Sequence, residues 1–374
     1  MISLEDYIAS FGEEPGYLNF AAEGPPGRAV QDEEYALMGL LGRARFGTVD
    51  SLFEGGIRVR DAIAAITAFD RSQVIFQPST SIGLMHAMFG LTGGVAMSPA
   101  EFPSITYAAV RAAEAIGAIT PVWLDTDDGK VTPGNLRSQL NSSIAAVAVS
   151  LVDFRTGYLV DLEGIRQVIG DRLLIVDAIQ GFGVVDAPYE VADVVVAGGQ
   201  KWVRAGWGTG FMGLSDRAAA AIVPVVSGFS ATESGQLPLD EVQAPKAGVD
   251  AFQISNPDYI AQARFATALE EIAEVGIPEI NASIRDKVTR IIDLADEYAV
   301  PVVSPRDVAE RAGIVVVEPP ADQLTVLTAS LFNHGVTTTT RQGRVRLAPH
   351  VSTDEETFDM LRASFVSYAS AVTL

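Results

Sequence analysis

Short apolar segments alternate with helical patterns along most of the first 215 residues. Strands that are apolar on both faces and separated by helices are typical of a mostly parallel sheet that is covered on both sides. The pattern therefore predicts an α/β fold with a mostly parallel seven-stranded sheet sandwiched by helices. The segments, rich in Val and Ile, are Gln73–Phe76, Gly93–Met97, Ile119–Leu124, Ile144–Leu151, Leu173–Val176, Asp193–Ala197 and Thr209–Leu214.

A different pattern begins near residue 250 and predicts a smaller C-terminal α+β domain. The polar stretch Ser227–Gly248 is the expected boundary. We therefore divide the chain into an N-terminal arm (1–20) that packs with the small domain, a large domain (21–248) and the small domain (249–374). The small domain is expected to contain helices over Asp258–Val275, Glu279–Tyr298, Ala321–Phe332 and from Thr353, and strands over Gly313–Val317, Gly335–Thr340 and Arg344–Leu347.

Composition limits the partners of the chain. The 374 residues include 26 Lys plus Arg and 47 Asp plus Glu, which gives a formal net charge of −21 at pH 7. Nucleic acid and anionic membranes bind clustered basic residues, so neither is expected as a partner. No apolar run is long enough to span a bilayer, and no signal peptide is readable at the N-terminus. These features predict a cytoplasmic protein.

The chain contains no cysteine. Disulfides, thiolate metal sites, iron–sulfur clusters and a cysteine nucleophile are therefore excluded. The three histidines, His86, His334 and His350, lie too far apart in the sequence to form a local ligand motif. No metal site is predicted from them.

The segment from residue 173 to residue 211 places two charged residues beside buried strands. An apolar strand ends at Asp177, at the carboxyl edge of the sheet, where α/β proteins bind ligands. Lys201 follows the next apolar strand and two glycines, although lysine is normally exposed. A lysine beside low-dielectric walls has a lowered pKa and a free amine that can form a Schiff base.

The order of these residues resembles that of the class V aminotransferases, pyridoxal-phosphate enzymes of fold type I. The similarity consists of Asp177-Ala-Ile-Gln180, then Lys201, then a glycine-rich turn. It implies that pyridoxal 5′-phosphate is carried on Lys201 as a Schiff base and that Asp177 pairs with the ring nitrogen. Gln180 would hydrogen-bond the phenolic oxygen of the ring, and residues 21–248 would form the cofactor-binding domain.

The run Ser79-Thr80-Ser81 lies between an apolar strand and a helix expected over Leu84–Phe89. Backbone N–H groups and the positive end of the helix dipole can bind a phosphate at such a helix N-terminus. A helix cap alone is the other interpretation. The resembling enzymes bind the cofactor phosphate at this place in the fold, which implies that the three hydroxyl residues contact it and that Gln200 donates to it.

Phe102 follows the second strand, in the run Glu101-Phe-Pro-Ser104. In the class V group an aromatic residue or a histidine here stacks on the pyridine ring. Kynureninases are similar to this sequence in having Phe-Pro-Ser or Phe-Pro-Thr. The resemblance implies that Phe102 supplies the stacking face, and a role in the core is the alternative.

The run Ile254-Ser255-Asn256-Pro257 is similar to a kynureninase turn that reaches the active site of the neighbouring subunit. Ser255 and Asn256 are therefore predicted to contact the cofactor of a partner chain. The same run could also cap the following helix, with Pro257 at its first position.

Arg346-Leu-Ala-Pro349 is similar to the segment in which the family's arginine binds the substrate α-carboxylate. A guanidinium can hold a carboxylate through two charge-assisted hydrogen bonds. Arg346 is the first candidate for this role, and Arg341 and Arg344 are weaker ones.

The chain departs from two groups within the family. Cysteine desulfurases and selenocysteine lyases depend on a cysteine in a mobile loop, and its absence here excludes their persulfide-forming reaction. Those enzymes also have Ser and His where this chain has Gly198 and Gln200. Kynureninases have Tyr rather than Gln before the lysine. The loop Ser227–Gly248 is expected to lie over the active site and to determine a different substrate.

The resemblance implies an L-amino acid substrate, an aminotransferase reaction, and a homodimer with shared active sites. Lys201 would remove the α-proton and Asp177 would stabilise the charge that develops on the ring. A kynureninase-like hydrolase or C–S lyase that cleaves the substrate side chain is the alternative. A third hypothesis is a protein that binds pyridoxal phosphate without turnover.

Overall fold

The computed structural model describes residues 2–233 and 240–372. Residues 234–239 of the predicted active-site loop lie outside the described residues. The helices are α1 (Leu4–Ala9), α2 (Arg28–Arg43), α3 (Thr48–Leu52), α4 (Glu54–Ile66), α5 (Thr80–Gly90), α6 (Pro103–Ile116), α7 (Pro133–Gln139), α8 (Leu162–Ile169), α9 (Asp216–Ala221), α10 (Tyr259–Val275), α11 (Ile277–Glu297), α12 (Leu324–Asn333) and α13 (Glu355–Val372). The strands are β1 (Val74–Phe76), β2 (Gly93–Met97), β3 (Ile119–Trp123), β4 (Ile144–Ser150), β5 (Leu173–Asp177), β6 (Val194–Gly198), β7 (Gly210–Leu214), β8 (Val315–Val317), β9 (Thr339–Arg341) and β10 (Arg344–Leu347).

Seven strands form the large sheet in the order β1-β7-β6-β5-β4-β2-β3. Strands β2 to β6 pair in parallel, and β7 runs antiparallel to both β6 and β1. Each strand lies within one residue of a predicted apolar segment. The predicted α/β class and the mostly parallel seven-stranded sheet are confirmed.

Apolar side chains of the sheet alternate between two layers of helices. On β5, Leu174 and Val176 belong to one core cluster and Leu173 and Ile175 to the other. The second cluster includes residues of α5, α6 and α9, and the first includes residues of α8, α10 and α11. Because both faces of the sheet are buried, the central strands consist of continuous runs of apolar residues.

The C-terminal region forms a three-stranded antiparallel sheet in the order β8-β10-β9. Strand β9 begins at Thr339, four residues later than the predicted strand Gly335–Thr340. The reason is that Gly335 has a φ of +75° and Thr337 accepts a hydrogen bond from Leu18 of the N-terminal arm. The prediction was wrong about this boundary because the arm, not β10, pairs with the chain at that point.

Three contacts bear on the predicted domain division. The amide N–H of Ala348 donates to the carbonyl of Leu18 at 2.8 Å, so the arm contacts the C-terminal sheet. Phe252, assigned to the small domain, packs in the core cluster of α5 and α6. Arg58 of α4 pairs with Glu270 of α10 at 2.8 Å. The division itself stays a prediction.

In the described part of the chain, no helix combines the length and the apolar character that a bilayer-spanning segment needs.

Candidate active site

Asp177 is the last residue of β5 and lies in the middle of the sheet, opposite Ser150 of β4 and Val196 of β6. Its side chain is 2% exposed, and Oδ1 accepts a hydrogen bond of 3.1 Å from the N–H of Ile179. Oδ2 is buried without a hydrogen-bond partner among the described residues. Burial raises the pKa of Asp177 to about 6, although the Ile179 N–H and the positive charge of Lys201 act in the opposite direction.

Lys201 lies in a tight loop after β6 and is 8% exposed. The N–H of Ala205 donates to the carbonyl of Gly199 at 2.8 Å and closes the loop. Burial lowers the pKa of Lys201 to about 8. The negative charge of Asp177 opposes this shift, and the positive charges of Arg346 and Arg341 add to it. The loop therefore holds an amine that loses its proton more readily than an exposed lysine does.

The segment that follows the N-terminal arm contacts the lysine loop directly. The N–H of Gly24 donates to the carbonyl of Gln200 at 2.9 Å. A Cβ atom at Gly24 would lie 2.1 Å from the carbonyl oxygen of Lys201, so only glycine allows this approach. Because Gly24 donates a hydrogen bond to the residue before the lysine and lies against the carbonyl of the lysine itself, this segment helps to fix the position of Lys201.

Helix α5 begins at Thr80, four residues before the expected start at Leu84. Ser79 is the N-cap, because its Oγ accepts a hydrogen bond of 3.3 Å from the N–H of Ile82. The hydroxyl of Thr80 is buried and has no hydrogen-bond partner among the described residues. The hydroxyl of Ser81 is 2.7 Å from that of Ser104. The helix-cap interpretation is thus correct for Ser79 and leaves Thr80 available to a ligand.

Gly198 connects the start of α5 to the lysine loop. A Cβ atom at Gly198 would lie 3.2 Å from Thr80 Oγ1 and 2.4 Å from Gln200 Oε1. The hydroxyl of Thr80 and the amide of Gln200 therefore converge on one space that the glycine leaves open. The helix N-terminus and the hydroxyl of Thr80 can donate to a phosphate in this space, whereas the amide of Gln200 would have to donate through Nε2 rather than through the Oε1 atom that faces the space.

Phe102 is the N-cap residue of α6 and faces the lysine. Lys201 Nζ is 5.4 Å from the centre of the Phe102 ring. Phe154 packs edge-on against Phe102 with a centroid distance of 5.1 Å. Phe154 belongs to the run from Val152 to Gly157, which resembles the family's loop that passes close to the cofactor, but the sequence assigned the residue no role of its own.

Glu101 is a second acidic group that the sequence analysis left without a role. Its carboxylate accepts hydrogen bonds from the N–H and the hydroxyl of Ser150, at 3.0 and 2.6 Å. Burial raises the pKa of Glu101 to about 8, and the charges of Asp153 and Asp177 add to the shift, whereas the two hydrogen bonds oppose it. Its position directly before Phe102, in the loop that follows β2, was the available sequence signal.

Gln180 is 4% exposed and hydrogen-bonded at both ends of its amide. Nε2 donates to the carbonyl of Ala21 at 2.9 Å, and Oε1 accepts from the indole N–H of Trp202 at 2.9 Å. One N–H of the amide is left for the contact with the cofactor's phenolic oxygen. That contact stays a prediction.

Arg346 lies on β10, and its side chain is 8% exposed. Nη1 donates a long hydrogen bond of 3.5 Å to the carbonyl of Phe154, and Nε has no partner among the described residues. Burial, with the nearby positive charge of Arg341, lowers the pKa of Arg346 to about 10. Arg346 and Phe102 line the same cavity, of about 510 Å³.

Ser255 and Asn256 contact a different part of the chain. Ser255 Oγ is 3.1 Å from Ser230 Oγ, and Asn256 has a φ of +51°. In the described part of one chain, neither residue joins the cluster around Lys201, so their predicted contact with a partner's cofactor stays a prediction. The helix-cap alternative was wrong, because Asp258 caps α10.

The side chains around Lys201 fit pyridoxal phosphate. A buried carboxylate with a free oxygen suits a pyridinium nitrogen, the open space beside Thr80 suits a phosphate, and the lysine amine suits an aldehyde. Within residues 2–233 and 240–372, no three His, Asp or Glu side chains are grouped closely enough to bind a metal ion.

Residues 51–372 match the family model described as aminotransferase class-V. The chain belongs to the class-V aminotransferase family. It is an enzyme of this pyridoxal-phosphate-dependent group, so the predicted family, enzyme class and cofactor are confirmed. A comparison with curated proteins gives no match.

Several solved structures have the same fold at low sequence identity. The apo cysteine desulfurase from Thermococcus onnurineus NA1 is 18% identical, with a TM-score of 0.84 over 96% of this chain and 95% of that chain. The cystine C-S lyase C-DES, in complex with cysteine persulfide, is 18% identical, with a TM-score of 0.83 over 94% of this chain and 97% of that chain. The cysteine desulfurase CsdA from Escherichia coli is 15% identical, with a TM-score of 0.82 over 100% and 99%.

Proposed function

We propose that this protein is an aminotransferase that acts on an L-amino acid through Lys201. The observation that carries the proposal is the pairing of a buried lysine of lowered pKa with a buried carboxylate, Asp177, that has one oxygen free. Perturbed titratable groups that face each other at the carboxyl edge of a parallel sheet are typical of active sites.

We propose the following contacts between the chain and the cofactor. Asp177 would hold the ring nitrogen, and its ion pair with a pyridinium would lower its own pKa. Phe102 would cover one face of the ring. The phosphate would be held by the N-terminus of α5 and by Ser79, Thr80, Ser81 and Gln200, and the phenolic oxygen by Gln180.

When bound, pyridoxal phosphate supplies an aldehyde and a ring that accepts electrons from the substrate Cα. The chain then has three tasks. Arg346 binds the substrate carboxylate and so orients the Cα–H bond. Lys201 moves the proton at Cα, since its lowered pKa lets its amine act as a base near neutral pH. The apolar walls at Phe102 and Phe154 exclude water from that proton transfer.

The first experiment records the visible spectrum of the holoenzyme before and after single L-amino acids are added without a keto acid. A stable change to the pyridoxamine spectrum with at least one amino acid is expected. A transient change with release of a cleaved side chain would replace this proposal with the hydrolase or C–S lyase alternative. Purified protein that gains no visible band with added pyridoxal phosphate would contradict both.

Lys201→Ala should abolish the spectral reaction, and Lys287→Ala is its matched control. Burial also lowers the pKa of Lys287, but this residue lies on α11 and lines none of the space beside Asp177. Lys287→Ala is expected to react like the wild type. Wild-type protein that binds the cofactor without any turnover would instead support the non-catalytic hypothesis.

We further propose a homodimer in which Ser255 and Asn256 approach the cofactor of the partner. Large apolar side chains on α2–α4 support this, because Tyr35 is 84% exposed and Phe53 is 47% exposed. Exposed apolar groups of this kind mark interaction surfaces. Sedimentation equilibrium at two protein concentrations should give twice the mass of one chain, and a monomer would overturn the proposal. The cytoplasmic location stays a prediction from the sequence.

A further inference from the structure

The cavity beside Phe102 is strongly basic. Arg155, Arg341, Arg344 and Arg346 line its wall, and none of the described residues that line it is acidic. The whole chain carries a formal net charge of −21, so the positive charge of this cavity is a local property. Its volume of about 510 Å³ is in the range of cavities that bind small molecules.

The β9–β10 hairpin explains how three of these arginines, Arg341, Arg344 and Arg346, come together. A two-residue turn, Gln342-Gly343, joins the strands, and both of its residues have a positive φ. Arg341 lies opposite Arg344 in the register, and Thr339 lies opposite Arg346. Because side chains alternate between the faces of a strand, these four hairpin residues, one threonine and three arginines, point to the same face of the hairpin.

Two of the four arginines are neutralised within the chain. Arg344 pairs with Glu318 at 3.0 Å, and Arg155 pairs with Asp153 at 3.0 Å. Arg341 and Arg346 have no acidic partner among the described residues. Two like charges that face one cavity repel each other, and Arg341 accordingly helps to lower the pKa of Arg346. These two guanidiniums are the groups available to an anionic ligand.

We infer that the substrate is a dicarboxylic amino acid, with Arg346 on its α-carboxylate and Arg341 on its side-chain carboxylate. The inference rests on the proposed amino acid chemistry and adds the substrate class. A dianion neutralises both free guanidiniums, whereas a neutral side chain leaves Arg341 unpaired. The apolar walls formed by Phe102, Phe154 and Val316 strengthen the ion pair of the buried Arg346, because charges interact more strongly away from water. The exposed Arg341 contributes a weaker pair at the mouth of the cavity.

The decisive experiment compares isosteric acid and amide substrates on the holoenzyme. L-Glutamate is paired with L-glutamine, and L-aspartate with L-asparagine, and the rate of the spectral change is measured against concentration. In the pair that reacts faster, the rate at a given low concentration should be about tenfold or more higher for the acid than for the amide. A hydrogen-bonded contact between charged groups is expected to give a difference of this size. Equal use of acid and amide, or preference for the amide, would overturn the inference.

Substitution of Arg341 tests the assignment of the second site. Arg341→Gln should abolish the preference for the acid over the amide, and Arg341→Lys should retain part of the preference. Arg362→Gln, which removes an exposed arginine that does not line the cavity, should keep the full preference and serves as the control for net charge. An acid preference that survives in Arg341→Gln contradicts the assignment.

A binding measurement separates this inference from the proposed reaction. Glutarate and its monoamide are titrated into the holoenzyme by calorimetry. Tighter binding of glutarate in the wild type, lost in Arg341→Gln, would retain the inference even if no amino acid gives the pyridoxamine spectrum, in which case the aminotransferase proposal fails. Transamination of neutral amino acids alone, with equal binding of both probes, would retain the proposed reaction and reject the dicarboxylate site.

Discussion

The indole N–H of Trp202 donates a hydrogen bond of 2.9 Å to Oε1 of Gln180. Trp202 lies directly after Lys201, and Gln180 lies just beyond Asp177 in the sequence. Nε2 of the Gln180 side chain donates to the carbonyl of Ala21, in the segment that follows the N-terminal arm. Gln180 therefore joins the lysine loop, the end of β5 and the N-terminal segment, in addition to its proposed contact with the cofactor.

Gln180→Leu should destabilise the protein even without cofactor. The substitution leaves the indole N–H of Trp202 and the carbonyl of Ala21 buried without partners, which should lower the free energy of unfolding by about 2–4 kcal/mol. Urea denaturation of the apo form measures the change. The control, Gln167→Leu, replaces an exposed glutamine of α8 and should stay within about 0.5 kcal/mol of the wild type. An unchanged unfolding midpoint in Gln180→Leu would contradict the structural role.

Thr80→Val should weaken cofactor binding without destabilising the apo protein. The hydroxyl has no partner in the described chain, so its loss removes only the proposed phosphate contact, and we expect about tenfold lower affinity for pyridoxal phosphate. Fluorescence titration of the apo form gives the affinity. Ser79→Ala, by contrast, removes a helix cap and should lower the free energy of unfolding by about 1 kcal/mol. Wild-type affinity in Thr80→Val would remove Thr80 from the phosphate site.

The pKa of Asp177 predicts a pH-dependent difference between the wild type and Asp177→Asn. Because the pKa is about 6 in the folded apo protein and about 3.9 when unfolded, the folded state holds the proton more tightly. The stability that this proton gives is complete below about pH 4 and is lost as the pH rises through about 6. Asn cannot titrate. Between about pH 4 and pH 6, the free energy of unfolding of Asp177→Asn should therefore rise by about 3 kcal/mol relative to that of the wild type.

Urea midpoints of both apo proteins at several pH values test this difference. Asp32→Asn, at an exposed position of α2, is the control and should follow the wild type at every pH. Parallel pH profiles of Asp177→Asn and the wild type would show that the carboxyl of Asp177 is not held in a buried, neutral form.

Attachment of pyridoxal phosphate to the apo protein should depend on the ionisation of Lys201. The rate at which the visible band appears is expected to rise with pH around a midpoint of about 8, well below the ordinary lysine value of about 10.4. Arg346→Gln removes a positive charge that lowers the pKa of this lysine, so its midpoint should be higher. A midpoint near the ordinary value in the wild type, or one that does not move in Arg346→Gln, would contradict the electrostatic environment described.

The positions of the strands could be predicted closely because both faces of the large sheet are buried. The direction of β7 could not be predicted, since an apolar strand has the same pattern whether it runs parallel or antiparallel to its neighbours. The start of α5 was also predicted too late, because the hydroxyl residues Ser79, Thr80 and Ser81 were not counted as part of the helix. Such caps depend on one local hydrogen bond, not on periodicity.

The candidate site could be predicted where a single residue follows a strand, as for Asp177, Lys201 and Phe102. Contacts between segments that are distant in the sequence could not be predicted. The hydrogen bonds of Glu101 to Ser150 and of Gln180 to the backbone of Ala21 join parts of the chain that no periodic pattern relates. Arg341 was only a weak candidate, because its free charge is apparent only once Glu318 is seen to neutralise Arg344.

The pairing of the arm with the C-terminal sheet closes a long loop of the chain. Leu18 forms hydrogen bonds with Thr337 and Ala348, which lie far from it in the sequence. Contacts between residues so far apart form slowly, because the entropy of loop closure opposes them. We therefore expect the segment that leads to Gly24 and the lysine loop to reach its final position late in folding.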